Sequence, residues 1–289
     1  MKTVTTKALY EAIIRKRGYD PASANVAAAE QARIADWINE RLEEIYEYYM
    51  WPEVLLVERR QYRATWESAL IYALGAEVFH TTSGGDEKYY ISLQGANTAK
   101  NPETETAWWA EVGDDFLRTI DYQQAGETEI SAVDLQECAY DYDPRIYRGK
   151  GRILEVEFYG DALIINSDDA PTRPWIKFRP PAPQISLTAW SAATNYAIGD
   201  LCYLAATGES YKALAANADK QPDSETAYWE PVSIPALFQR YLAHAVHADF
   251  LLDPIERDKE RAQAEKILGD LEDRQINQQG VARKITFRK

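Results

Sequence analysis

His244 and His247 lie three apart in LAHAVHADF, a spacing that sets two imidazoles on one helical face. A zinc hydrolase of the H-E-x-x-H kind needs its histidines four apart with a glutamate beside the first, and this stretch has neither feature. The spacing predicts two helix-packing histidines. Carboxylates also gather in DYDP from residue 141 and in SDDAP from residue 167, where two of them could work as an acid/base pair or hold a cation. Aspartate in such turns has a plainer role as well, accepting from the backbone two residues on. No glycine-rich phosphate loop, G-x-S-x-G elbow or paired-cysteine motif occurs. We expect no catalytic residue, metal or cofactor, and no enzyme.

Composition narrows the classes further. The chain has 289 residues, 46% of them hydrophobic, enough to bury a substantial core. Its net charge of -14 argues against a nucleic-acid binder, because phosphate contacts need a clustered basic surface to displace counterions. The charge is uneven, since Arg274, Arg283, Lys284, Arg288 and Lys289 put five positive charges and no acidic one into the last 16 residues. Cys138 and Cys202 lie in different segments and are expected to be buried thiols. No run of 18 apolar residues occurs, and the opening MKTVTTKALYEAIIRKRG reads as an amphipathic helix, so neither a membrane span nor export through a signal peptide is expected.

The elements that must carry these residues follow from periodicity. Leu9 and Ile13 suggest a short helix closed by Gly18. Ile34, Trp37, Ile38, Leu42, Ile45 and Tyr49 recur at steps of three and four, which predicts a long helix over 27–50 that Trp51-Pro52 ends. Residues 54–65 read as a strand. Further on, RILEVEF and ALIIN form a hairpin around YGD, and WIKFR adds a third strand to a meander before PPAP stops it. Ser233 is the expected N-cap of a helix with Pro235 in its first turn and Leu237, Tyr241, Ala245, Ala248 and Leu252 on one face. Asp253-Pro254 starts a second helix, which fades into a tail with too few apolar residues to fold alone.

Part of the chain is written twice. Trp66, Tyr72, Gly75 and Phe79 match Trp190, Tyr196, Gly199 and Tyr203 at an offset of 124, while Asn97, Pro102, Thr106, Ala107, Trp108 and Trp109 match Asn217, Pro222, Thr226, Ala227, Tyr228 and Trp229 at 120. The slip is expected mostly in TTSGGDEK, because a glycine-rich hairpin turn tolerates a length change best. Neither repeat is flanked by a linker, so both read as insertions. The fold expected is α+β, a helical-bundle body with a small antiparallel β meander and two inserted all-β modules. Its segments are 1–65 (helices and first strand), 66–112 (module 1), 113–189 (meander), 190–232 (module 2), 233–276 (C-terminal helices) and 277–289 (basic tail).

WSAATNYAIGDLCY, YKALAAN and QPDSETAYWEPV resemble the small chitin-binding modules of carbohydrate-binding families five and twelve, whose pattern runs Trp, Tyr-x-x-Gly-Asp, Tyr-x-Ala, Pro, Trp. Module 1 departs from that pattern at Ala76 and in YIS. The resemblance implies glycan stacking on exposed rings among Trp66, Trp108, Trp109, Trp190, Tyr228 and Trp229. The same six rings could instead be the core of a unit too small to fill itself otherwise.

With the repeats set aside, the order of a helix, a long helix ending YYMWPE, a strand with ERR, strands ending WIKFRPPAP, a helical C-terminus and a basic tail resembles the head-to-tail adaptor (connector) proteins of tailed bacteriophages. That resemblance implies a ring, commonly of twelve copies, in the virion neck between the capsid portal and the tail, assembled in the host cytoplasm. The partners implied are other copies of the chain, the portal protein and a downstream neck or tail protein. DNA would pass through the lumen without specific binding, and a glycan is a further candidate. Arg283, Lys284, Ile285, Phe287, Arg288 and Lys289 would be the portal-docking segment. An acidic body suits a conduit to which DNA must not adhere. The alternative is a carbohydrate-binding accessory protein with tandem modules on a helical scaffold.

Overall fold

The computed structural model describes residues 2–19, 27–113, 116–124, 127–133, 137–146 and 152–286. They form two compact units, one of Met1–Val54 with Pro181–Lys289 and one of Leu55–Pro180. Each unit therefore holds one of the two repeats.

The first unit contains α1 (Thr6–Lys16), α2 (Ala28–Tyr48), α3 (Gln239–Phe250) and α4 (Pro254–Thr286). The Thr5 hydroxyl starts α1 by accepting from the Ala8 amide at 3.0 Å. Gly18, at φ 80°, ends it, with its own amide bonded to the Arg15 carbonyl and the Tyr19 amide to the Ile14 carbonyl. That closure needs a left-handed residue, which glycine adopts without strain. On α2, Ile34, Ile38, Leu42 and Ile45 are fully buried along the anticipated stripe. Past its end, fully buried Trp51 donates its indole N–H to the Ile45 carbonyl at 2.6 Å, satisfying a group that the helix terminus leaves open. The Asp253 side chain accepts from the Ile255 and Glu256 amides and so caps α4, with Pro254 as its first residue.

The expected helical-bundle body does not form. The four α-helices found among the described residues all belong to the first unit, and the chain is an α+β mixture made mostly of small sheets and loops. The reason lies in what closes the helices' apolar faces. Their core cluster takes in Ile185, Leu187, Val232 and Ile234 from extended segments, with Leu201 and Tyr203 of module 2 packed against it. The helix expected to begin at Ser233 also starts later. Ile234–Pro235 instead pairs antiparallel with Thr3–Val4, a 3-10 turn covers Ala236–Phe238, and α3 begins at Gln239. Proline is tolerated there because a two-stranded sheet has only edge strands.

The second unit has no α-helix among its described residues. Its hairpin Val156–Phe158 with Ala162–Ile165 forms as anticipated, but its third strand is Thr119–Asp121. Trp175–Arg179 leaves that meander and becomes the centre of another sheet, flanked by Leu56–Arg59 on one edge and by Ala139–Tyr140 and Ala132–Val133 on the other. Ile176 and Phe178 are both fully buried, as befits a central strand. The long strand read over 54–65 is only Leu56–Arg59. Just beyond it, Arg60 is buried, its guanidinium 4.7 Å from the Phe178 ring centroid and bonded to Glu127 at 2.6 Å, Glu58 at 2.9 Å and the Thr128 carbonyl at 2.5 Å.

Candidate functional site

The two modules have the same construction at atomic detail. In module 1, Ile71–Tyr72 pairs with Asn97–Thr98, and Glu77–Thr81, Glu87–Ser92 and Trp109–Val112 form a three-stranded antiparallel sheet. In module 2, Asn195–Tyr196 pairs with Asn217–Ala218, and Leu201–Leu204, Glu209–Ala213 and Trp229–Pro231 form the matching sheet. The register locates the length change. Phe79 pairs with Tyr89 and Tyr203 with Ser210, so the hairpin of module 1 is longer by three residues, and one more is gained between Leu93 and Asn97.

This construction gives each motif residue a physical role. Tyr72 and Tyr196 each accept a backbone amide on the phenolic oxygen, from Glu67 at 2.7 Å and from Ser191 at 2.9 Å. Gly75 and Gly199, at φ 81° and 89°, sit in turns closed from Ala76 to Ala73 and from Asp200 to Ala197. The Asp200 carboxylate adds a bond from the Ala197 amide at 2.7 Å, which is what the aspartate of Tyr-x-x-Gly-Asp does; Ala76 lacks it, yet the turn still closes. Trp109 and Trp229 are 2% and 1% exposed, and each donates its indole N–H at 2.8 Å, to the Lys100 and Lys220 carbonyls. Tyr72 and Tyr196 meet those indoles edge-on.

Of the six candidate stacking rings, Trp109 and Trp229 are thus the module cores and present no face to a sugar. Trp66, Trp108, Trp190 and Tyr228 pack against those cores and remain partly exposed. The Lys100 and Lys220 ammonium groups lie 5.5 and 5.3 Å from the Trp108 and Tyr228 ring centroids.

Both modules are fixed to their own unit through the strand that follows the hairpin. In module 1 the Tyr89 hydroxyl donates to the Thr172 carbonyl and accepts from the Tyr62 amide, while Glu87 pairs with Arg59 and Arg173. In module 2 the Ser210 amide donates to the Thr6 hydroxyl, the Thr6 amide to Glu209, and the Lys7 amide to the Gly208 carbonyl. The longer hairpin of module 1 is held by Ser83, whose amide and hydroxyl both donate to the Glu103 carboxylate, and it borders an open polar groove of about 470 Å³ beside Lys88 and Glu111.

The histidines join helices. His244 Nδ1 lies 2.6 Å from Glu260 Oε2 and 2.9 Å from Lys16 Nζ, and His247 Nδ1 lies 3.7 Å from Glu260 Oε1. Nδ1 cannot serve both neighbours of His244 at once. With its proton there it donates to Glu260, and Lys16 turns to the same carboxylate, 3.5 Å away. Burial pushes His247 below the usual histidine range, and hydrogen bonding to His244 with the Lys16 charge holds Glu260 below the usual carboxylate range against the effect of its burial.

The acidic stretches are engaged with nearby arginines. Asp143 accepts from the Arg145 amide and guanidinium, which hold its carboxyl low, and Arg152 bonds to Asp141 through its amide and to Asp169 through its side chain. No group of three metal-ligating side chains gathers among the described residues. Cys138 and Cys202 are buried, and burial pushes the Cys202 thiol up to about 12. Of the portal-docking candidates, Arg283, Lys284 and Ile285 belong to the last stretch of α4, whereas Phe287, Arg288 and Lys289 lie outside the described residues. No helix among the described residues is long and apolar enough to cross a membrane. No protein-family model and no curated protein matches the chain.

Proposed function

We propose that the chain is a structural head-to-tail adaptor of a tailed-phage virion, forming a ring between portal and tail, with its two β modules as surface decoration. The observation that carries the reading is α4. It spans 33 residues, about 50 Å at 1.5 Å per residue, and its backbone continues eleven residues beyond buried Gln275, taking Arg283 and Lys284 to the far end of a rod that starts on an acidic body. A basic helix end on such a body suits docking to a neighbouring protein. The residues most able to do chemistry support a non-catalytic role, since His244 and Glu260 join two helices while Asp143 and Asp169 are held by Arg145 and Arg152. Negative-stain microscopy of the purified full chain, alone and with portal, tests it. Closed rings of about twelve copies are expected, and the absence of rings in both samples overturns the reading.

The second reading, a carbohydrate-binding accessory protein, rests on the four partly exposed rings Trp66, Trp108, Trp190 and Tyr228. Retention of the full chain on insoluble chitin, lost in the Trp108→Ala, Tyr228→Ala variant, would favour it.

A further inference from the structure

The modules differ where they meet their own units but agree on one exposed face. Leu74 and Ile198, each just before the turn glycine, are 69% and 72% exposed. Leu93 and Leu214, each following the residue paired with the core tryptophan, are 46% and 44% exposed. The amides of Gly75 and Gly199 bond to the carbonyls of Ser92 and Ala213, and those of Leu93 and Leu214 to the carbonyls of Trp108 and Tyr228. The turn, the aliphatic residue and the partly exposed ring are therefore neighbours in both modules. A single exposed leucine is ordinary, but the same aliphatic pair beside the same ring in two diverged copies is a built surface.

Aliphatic side chains grouped around an aromatic one suit a protein contact better than a sugar, which is held by ring stacking and polar groups. Charge favours a second copy of the chain as the occupant. Each patch carries a lysine and a glutamate at matching positions, Lys100 with Glu105 and Lys220 with Glu225, and Lys220 lies 3.7 Å from Glu225. A surface bearing both signs in a fixed order is complementary to its own equivalent turned by half a rotation, which is the requirement for a contact between like patches.

We propose that module 1 of one copy docks on module 2 of the next through these equivalent patches, Leu74, Leu93 and Trp108 facing Ile198, Leu214 and Tyr228, with Lys100 opposite Glu225 and Lys220 opposite Glu105. Each copy then offers two matching halves, so the contact repeats from copy to copy. The inference deepens the ring reading by naming a subunit contact and rests on it for the closure of the chain of copies.

The test measures mass in solution across a concentration series for the full chain, with far-UV circular dichroism confirming the fold. Leu74→Asp with Ile198→Asp is expected to weaken self-association on the order of tenfold or more, because it places charge in a desolvated contact. Lys100→Glu alone is expected to weaken it, and adding Glu225→Lys to restore it. Variants that assemble as the native chain does, or a charge exchange without rescue, overturn the module contact and leave the ring reading standing. Association that depends on the patches but yields only pairs or open strings upholds the contact and removes the ring. A native chain that stays single at every concentration overturns the module contact and leaves the ring reading to the sample with portal, and retention on chitin that the aspartates abolish would assign the patches to a glycan instead.

Discussion

Replacing Glu260 by glutamine is expected to loosen the junction of α1, α3 and α4, and to do so in a way that depends on pH. In the native junction the carboxylate faces His244 at 2.6 Å, Lys16 at 3.5 Å and His247 at 3.7 Å, and its side chain is 26% exposed. Glutamine keeps the shape but not the charge. A hydrogen bond to a charged group contributes about 1.5–3 kcal/mol, and partial exposure moves the expectation to the lower end, about 1.5 kcal/mol at neutral pH. The sign of the pH dependence follows from two depressed values. His247 is held below its ordinary 6.5, so the unfolded chain takes up a proton first, and stability falls as pH drops below about 6.5. Glu260 is held below its ordinary 4.5, so its contribution is complete above that value and is lost as pH falls through the lower, folded one. The variant should therefore be the weaker protein at pH 7 and should converge on the native chain well below pH 4.5. Urea unfolding followed by circular dichroism at pH 7, 5.5, 4 and 3 measures this. A difference that is absent at pH 7, or that persists unchanged at pH 3, would refute the assignment of Glu260 as the charged centre of the junction.

In the second unit, Arg60→Met leaves Glu127 and Glu58 without their cation and should cost about 3 kcal/mol in chemical denaturation, the lower end for breaking a buried pair because those glutamate side chains are 16% and 35% exposed. Arg60→Met with Glu127→Leu should recover much of that loss, and no recovery would mean the arginine acts through packing on Phe178. Trp109→Phe and Trp229→Phe should each cost about 1–3 kcal/mol, since each removes the same indole bond and similar buried volume. Calorimetry showing one to be neutral would contradict the equivalence of the two cores.

Helix boundaries set by backbone chemistry are legible in the sequence, whereas the start at Ser233, the length of the strand after Val54 and the pairing of distant segments are not. Gly18, Trp51-Pro52 and Asp253-Pro254 act through the backbone within a few residues, and each bounds a helix where it was expected. The repeat was legible because Tyr72, Gly75 and Trp109 make bonds inside a single module, and the structure locates most of the slip in the hairpin. What failed was the choice of partners. The alternation in WIKFR says that the segment is a strand, but nothing in it says that Leu56–Arg59, 116 residues upstream, is its neighbour. The periodicity of α2 likewise says that one face is covered, and not that extended segments near Ile185 and Ile234 share in covering it. The shared aliphatic patches are not legible in the sequence for a different reason: Leu74 and Ile198, or Leu93 and Leu214, differ in type or in offset, and only the sheet register aligns them.

The pairing of Thr3–Val4 with Ile234–Pro235 has a consequence for synthesis on the ribosome. Leu55–Pro180 is contiguous and can complete itself as soon as it has emerged, whereas the first 54 residues must wait for α3 before their core can close. Between Pro180 and Phe250 a further 70 residues are made, several seconds to above ten at common elongation rates. Throughout that interval the apolar stripe of α2, Ile34, Ile38, Leu42 and Ile45, has no permanent cover. The nascent chain thus carries a finished unit and an unfinished one side by side in time.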